Sequence, residues 1–178
     1  MPKRKHPRLD AYDYSTAGAY FITICTQNRR CLLSRIVGRG LAPAEIQYTA
    51  YGEIAQEQLL LLEQRYPSLK IDQYVIMPNH IHAVLLLEET AGATVSPTIM
   101  DIVCAYKSLT TRKCKKAQPV DKLFQTSFYE HVIRNREDYN EIAEFLNMNA
   151  AQLRKRLQRS KEILVELIKE GGVEDETL

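Results

Sequence analysis

Two histidines stand two residues apart in "YVIMPNHIHAVLLL", Tyr74 to Leu87, an apolar run that otherwise reads as buried strand. Side chains two apart on a strand project to one face. His80 and His82 therefore stand side by side, and Ile81 turns the opposite way into a core. Two adjacent imidazoles can serve as a bidentate metal site or as a paired acid and base. The plain alternative is a pair of hydrogen-bonded histidines on a half-exposed sheet. Two ligands are too few to hold a metal, so a third has to come from another element.

The elements that must position this pair follow from the pattern. "AYFITICTQ", Ala19 to Gln27, alternates and is rich in β-branched and aromatic residues, which predicts a first strand after Gly18. A short extra strand pair is expected around Cys31 to Val37. Tyr51 to Gln64 carries apolar residues at Ile54, Ala55, Leu59, Leu61 and Leu62 and stops before Pro67, which predicts a first helix. Ile71 to Met77 and Ile81 to Leu87 are the next two strands. Ser96 is expected to cap a second helix with Pro97 at its first position. The stripe of that helix is Ile99, Ile102, Val103, Tyr106 and Leu109. "FQTSFYEHVI" contains a fourth strand, after which Asn135 caps a helix with Asp138 at the capping-box position. The order β-α-β-β-α-β plus a helix predicts an α+β, ferredoxin-like antiparallel sheet with both long helices on one face. The other face is left for a site or for the last helix.

The bulk properties are permissive. A chain of 178 residues with 45% hydrophobic and 26% charged residues is expected to fold as one domain, 1–178, with 150–178 a helical extension. The net charge of +2 argues for no partner, but its distribution does. Basic clusters open the chain (Lys3, Arg4, Lys5, Arg8), follow the second helix (Arg112, Lys113, Lys115, Lys116) and lie near the end (Arg154, Lys155, Arg156, Arg159, Lys161). Together on one face they would suit a phosphate backbone; each alone also reads as solvated charge. Cys25, Cys31, Cys104 and Cys114 show no Cys-x-x-Cys spacing, which fits reduced thiols in a cytoplasmic protein. There is no signal-peptide pattern and no run of the ~20 apolar residues that a membrane span needs.

"MPNHIHAVLLL" resembles the His-hydrophobic-His motif of the single-tyrosine HUH transposases of small insertion sequences, and in particular their REP-associated, host-encoded relatives. The resemblance continues upstream through "YDYSTAGAYFITICTQNRRCLL" and "YGEIAQEQL". Downstream it runs through "DIVCAYKSLTTR" and "FQTSFYEHVIRNREDYNEIAEFLNMN". It covers about Leu9 to Asn149 in order and with similar spacing. It implies a divalent cation, Mg²⁺ or Mn²⁺, held by His80 and His82 with Asn149 as the helix-borne third ligand. It also implies a tyrosine one helical turn earlier that attacks a phosphodiester of single-stranded DNA. Residues 145 and 149 share a helical face, and the resemblance would place the nucleophile at 145.

The residue there is Phe145, which has no hydroxyl. The proline expected after the asparagine is replaced by Ala150. Tyr139 and Tyr129 are the fallback tyrosines. Tyr139 lies about 80° around the helix from Asn149 and nearly three turns away. Three readings follow. One is a binding protein that keeps the metal and the hairpin-DNA surface but cannot cleave. Another is an active strand transferase with a substitute tyrosine. The third is an interaction protein without a nucleic-acid role, whose apolar stripe Ile163, Leu164, Leu167 and Ile168 could pack within the chain or form a homodimer. For DNA, the expected contacts are Lys107, Arg112, Lys113 and Arg134, with stacking by Tyr129 or Tyr139.

Overall fold

The computed structural model describes residues 12–37, 45–89 and 97–147. In chain order it contains β1 (Gly18–Cys25), β2 (Ser34–Val37), β3 (Glu45–Tyr48), α1 (Ala50–Arg65), β4 (Leu69–Met77), β5 (His80–Leu87), α2 (Ile99–Ala117), β6 (Tyr129–Ile133) and α3 (Arg136–Asn147). The main sheet has the order β4-β5-β1-β6, with every neighbouring pair antiparallel. With the β2–β3 hairpin set aside, this is the ferredoxin-like α+β arrangement with α3 added.

Strand alternation decides which face each residue takes. Tyr20, Ile22 and Ile24 of β1 are buried, as are Ile81, Ala83, Leu85 and Leu87 of β5. They meet Ala55, Leu59 and Leu62 of α1 and Ile102, Val103 and Tyr106 of α2 in one core. The Tyr106 hydroxyl donates to the Ala55 carbonyl at 3.0 Å and ties the two helices together. β4 breaks strict alternation with a bulge between Ile71 and Gln73. Leu69 and Ile71 face the helices before it, and Tyr74 and Ile76 after it. The extra residue, Asp72, is turned outward toward α3.

Several boundaries depart from the sequence reading, each for a local reason. β1 ends at Cys25 because the Thr26 hydroxyl and amide both turn to the Asn79 carbonyl. The extra strand pair joins Ser34–Val37 to Glu45–Tyr48 rather than lying within residues 31–37. α2 is capped by Thr98, and Pro97 precedes the cap instead of opening the helix. Thr98 has Asp101 three residues on, and the two make reciprocal side-chain-to-backbone bonds; Ser96 has no such partner at its own third position. Ser96 itself, the first and third basic clusters, Asn149 and the 150–178 extension lie outside the described residues. Among the described residues no helix is long and apolar enough to cross a membrane.

Gly52 is the tightest point of the α1 packing. Thr49 caps α1 by accepting from the Gly52 amide at 3.2 Å, while its own amide donates to the Leu33 carbonyl at 3.0 Å and its hydroxyl to the Leu32 carbonyl at 2.6 Å. A Cβ on Gly52 would overlap the Leu33 carbonyl oxygen. Glycine to alanine within a helix is normally neutral or stabilising. Here Gly52→Ala should instead destabilise by about 1–3 kcal/mol, read as a lower urea midpoint at unchanged slope.

Candidate functional site

The histidine pair is built by strand register. His80 lies between Cys25 of β1 and Met77 of β4, and His82 between Thr23 and Val75. The two imidazole centroids are 4.5 Å apart at 74°. Each ring has its Nδ1 occupied. His82 Nδ1 is 2.8 Å from the Thr23 hydroxyl, and His80 Nδ1 is 2.7 Å from the Asn79 side-chain oxygen. An amide oxygen can only accept, so His80 carries its proton on Nδ1 and presents a lone pair at Nε2. The Thr23 hydroxyl can accept from His82 in the same way. Such outer bonds fix ring orientation and tautomer in metal-binding histidines.

The electrostatics favour the same state. Burial lowers the pKa of His80 to about 4, helped by the positive charge of Arg29. Burial lowers that of His82 to about 3, helped by its neighbour His80. Both rings are therefore neutral at pH 7, the form that binds metals. Among the described residues no group of three His, Cys, Asp or Glu is placed to hold an ion. The pair thus fits a divalent cation as two of its ligands, and the third has to be of another type or come from elsewhere in the chain.

α3 covers this face. Asn135 caps it, accepting from the Asp138 amide at 2.8 Å. The Asp138 carboxylate does not reciprocate to Asn135; it takes the Arg134 amide and the Nε2 of His131 at 2.8 Å. At the other edge of the sheet, the Tyr139 hydroxyl donates to Asp72 at 2.6 Å. α3 is therefore pinned at β6 and at β4, across the histidine face. Phe145 stands edge-on to His82, with centroids 5.2 Å apart at 76°. Phe21 stacks on the same imidazole at 5.2 Å and 20°. The position that lacks a hydroxyl is thus in contact with one of the two histidines.

The two fallback tyrosines are placed differently. Tyr139 is engaged with Asp72, and that hydrogen bond, ahead of burial, raises its phenol pKa. Asp72 is three residues along β4 from Val75, the partner of His82, or about 10 Å. Tyr129 is 52% exposed and pairs with Thr23, the residue bonded to His82. It shares the histidine face.

The four expected DNA contacts do not gather at the pair. Lys107 donates to the Thr126 carbonyl and lies over the Phe128 ring. Lys113 is ion-paired with Glu57 on the helix layer, and Arg112 is exposed beside it. Arg134 follows Ile133, which pairs with Ala19 at the end of the sheet away from His80. Thr23, Phe21 and Arg29 are site neighbours that the sequence reading missed, and Asn79 was given no role there. Asn79 was adjacent to the motif and visible in it. The other three are brought in only by the β1–β5 register and the turn after β1.

No family model matches the chain. A protein of Haemophilus influenzae described as uncharacterized is 31% identical over 162 residues, which is 82% of this chain and 87% of that protein. Among solved structures, a REP-associated tyrosine transposase bound to a REP hairpin superposes with a TM-score of 0.56 and 19% identity, over 93% of this chain and 76% of that one. This shows a transposase-like fold. A proposed transposase of Deinococcus radiodurans, 20% identical over 78% of this chain and 93% of that one, has a TM-score of 0.43, too low to argue from.

The Tyr139–Asp72 bond makes a specific prediction. Tyr139→Phe should cost about 0.5–1 kcal/mol of stability. A double-mutant cycle with Asp72→Ala should assign most of that loss to the pair. Additive losses would mean that the bond does not anchor α3.

Proposed function

The chain belongs to one sequence family with the Haemophilus influenzae protein, and from its site we propose a transposase-like protein that binds single-stranded or hairpin DNA and cannot cut it. In this reading His80 and His82 hold a divalent cation, Mg²⁺ or Mn²⁺, and Asn149 supplies the third ligand. One observation carries it: two neutral imidazoles side by side, each with Nδ1 engaged, one of them, His82, in contact with Phe145. The hairpin held by the structurally similar transposase supports hairpin DNA as the ligand class. The same reading puts the protein in the cytoplasm, with the DNA.

A cation in this place would polarise a phosphodiester. The chain's own part is to orient the two imidazoles, through Thr23 and Asn79, and to shield His82 with Phe21 and Phe145. What it lacks at position 145 is an oxygen. Cleavage of the family type needs a phenol oxygen to bond to phosphorus while the bond to the 3′ oxygen breaks and the phenol proton is released. Phe145 can do none of this.

Two predictions follow from the reading. Hairpin DNA with a single-stranded flank should bind in Mn²⁺ with an affinity that falls steeply as salt rises. His80→Ala should remove the Mn²⁺ dependence, and Thr23→Val should weaken Mn²⁺ binding by about 10–100-fold. A calorimetric titration showing equal Mn²⁺ affinity in wild type and His80→Ala would rule the site out. Second, Phe145→Tyr should gain metal-dependent formation of a covalent protein–DNA adduct, visible on a denaturing gel, and His80→Ala should abolish that gain.

The placement of Tyr129 favours a second reading, an active strand transferase with Tyr129 as nucleophile. It is exposed, and only Thr23 separates it from His82 across the sheet. An adduct formed by the wild-type protein and lost in Tyr129→Phe would replace the first reading by this one.

A further inference from the structure

The turn after β1 is strained next to the histidine pair. Asn28 and Arg29 have φ of 55° and 52°, the left-handed region, and are the non-glycine residues of positive φ among those described. Two such residues in succession are costly, and they persist only where the surroundings dictate them. The surroundings here are dense. Thr26 donates its amide and its hydroxyl to the Asn79 carbonyl, at 2.9 and 3.0 Å, and its hydroxyl also reaches the Arg30 carbonyl at 2.7 Å. The Gln27 amide donates to Leu123, and the Gln125 amide to Cys25, on either side of the Thr26–Phe124 bridge. Asn79 is the same residue that orients His80. The strained turn and the first imidazole therefore share one anchor.

What the turn presents is Arg29. It is exposed, and among the described residues it has no carboxylate partner, unlike Lys113. Its amide donates to the Thr26 carbonyl at 3.0 Å, and Thr26 is bonded to the carbonyl of Asn79, the residue before His80. A guanidinium is a planar fork suited to phosphate oxygens. The segment after α2 reaches the same turn, since the Gln27 amide donates to the Leu123 carbonyl; Lys122, next to Leu123, donates to the Thr126 hydroxyl.

We propose that Arg29 is a phosphate-positioning residue, held in a strained turn so that its guanidinium seats one backbone phosphate of single-stranded DNA beside His80. This rests on the DNA-binding reading above and names the residue that reading lacked. None of the four basic residues expected from the sequence is brought to the histidines, whereas Arg29 lies in the turn bonded to Asn79, the residue before His80. Strain explains the choice of side chain: a turn selected for geometry alone would carry glycine at a left-handed position.

The experiment is a titration of the full chain with a flanked DNA hairpin in Mn²⁺ at several salt concentrations, comparing wild type with Arg29→Ala, Arg29→Lys and Arg29→Gly. Arg29→Ala should weaken binding about tenfold and flatten the log–log salt slope by about 0.7, the value of one single-strand phosphate. Arg29→Lys should keep the slope and recover part of the affinity. Arg29→Gly should lose as much affinity as Arg29→Ala while its Tm is no lower than wild type, because glycine relieves the left-handed strain. Mn²⁺ affinity measured without DNA should not fall in any of the three. If wild type binds the hairpin and Arg29→Ala matches it in affinity and slope, the assignment is overturned and the DNA reading stands. If the Arg29→Gly loss comes with a lower Tm or lost Mn²⁺ binding, Arg29 is structural and the assignment is likewise overturned. If wild type binds no DNA at low salt, both fail.

Discussion

The register of β1 against β5 is the constraint from which the site follows. It sets Thr23 beside His82 and Cys25 beside His80, and it puts Phe21, Thr23 and the two histidines on one face of the sheet. A slip of one residue would turn every β1 side chain over. Phe21 and Thr23 would then enter the helix-covered core, and Ile22 and Ile24 would face α3. The core enforces the register because Tyr20, Ile22 and Ile24 are fully buried against α1 and α2. Hydrophobic burial on one face therefore fixes the hydrogen bonds on the other, at no further conformational cost to the histidines.

The two faces are held by different means. α1 and α2 are packed by continuous apolar contact, with Gly52 allowing α1 to approach the Leu33 carbonyl. α3 is held by polar pins at its first turn, His131 to Asp138 and Tyr139 to Asp72, and by the Phe145 and Phe21 rings near its end. Polar pins at an exposed edge contribute about 0.5–1.5 kcal/mol each, far less than a buried helix face. α3 is thus the more weakly held layer, and it lies over the histidines. Asp72, at the bulge in β4, supplies the acceptor for Tyr139 on this layer.

Much of this was legible in the sequence. The period-2 alternation of "AYFITIC" and the helical stripe of α2 gave strands and helix their faces, and the element order implied the sheet. Asn135 was readable as a cap because its side chain acts on its own helix. What was not legible shares one cause: it depends on residues distant in sequence. Thr23 is 59 residues from His82, and nothing in "FITIC" marks its hydroxyl as an imidazole partner. Arg29 sits in a stretch readable only as turns; its left-handed backbone is imposed by Asn79 and Leu123. Lys107 and Lys113 were legible as charges, but local composition could not tell that one would cap the Thr126 carbonyl and the other pair with Glu57.

Phe145 brings the local and the distant together. Its ring closes an aromatic wall with Phe21 around His82, and that wall contributes to the burial that keeps the imidazole neutral. A tyrosine in the same place would have to reconcile two demands, since a hydroxyl needs a hydrogen-bond partner while the ring excludes water. Phenylalanine meets only the second demand. It keeps the ring contacts and the shielding of His82 and carries no polar group whose burial would need a partner. The orientation of the histidines by Thr23 and Asn79, and the shielding of His82 by Phe21 and Phe145, therefore need no oxygen at position 145.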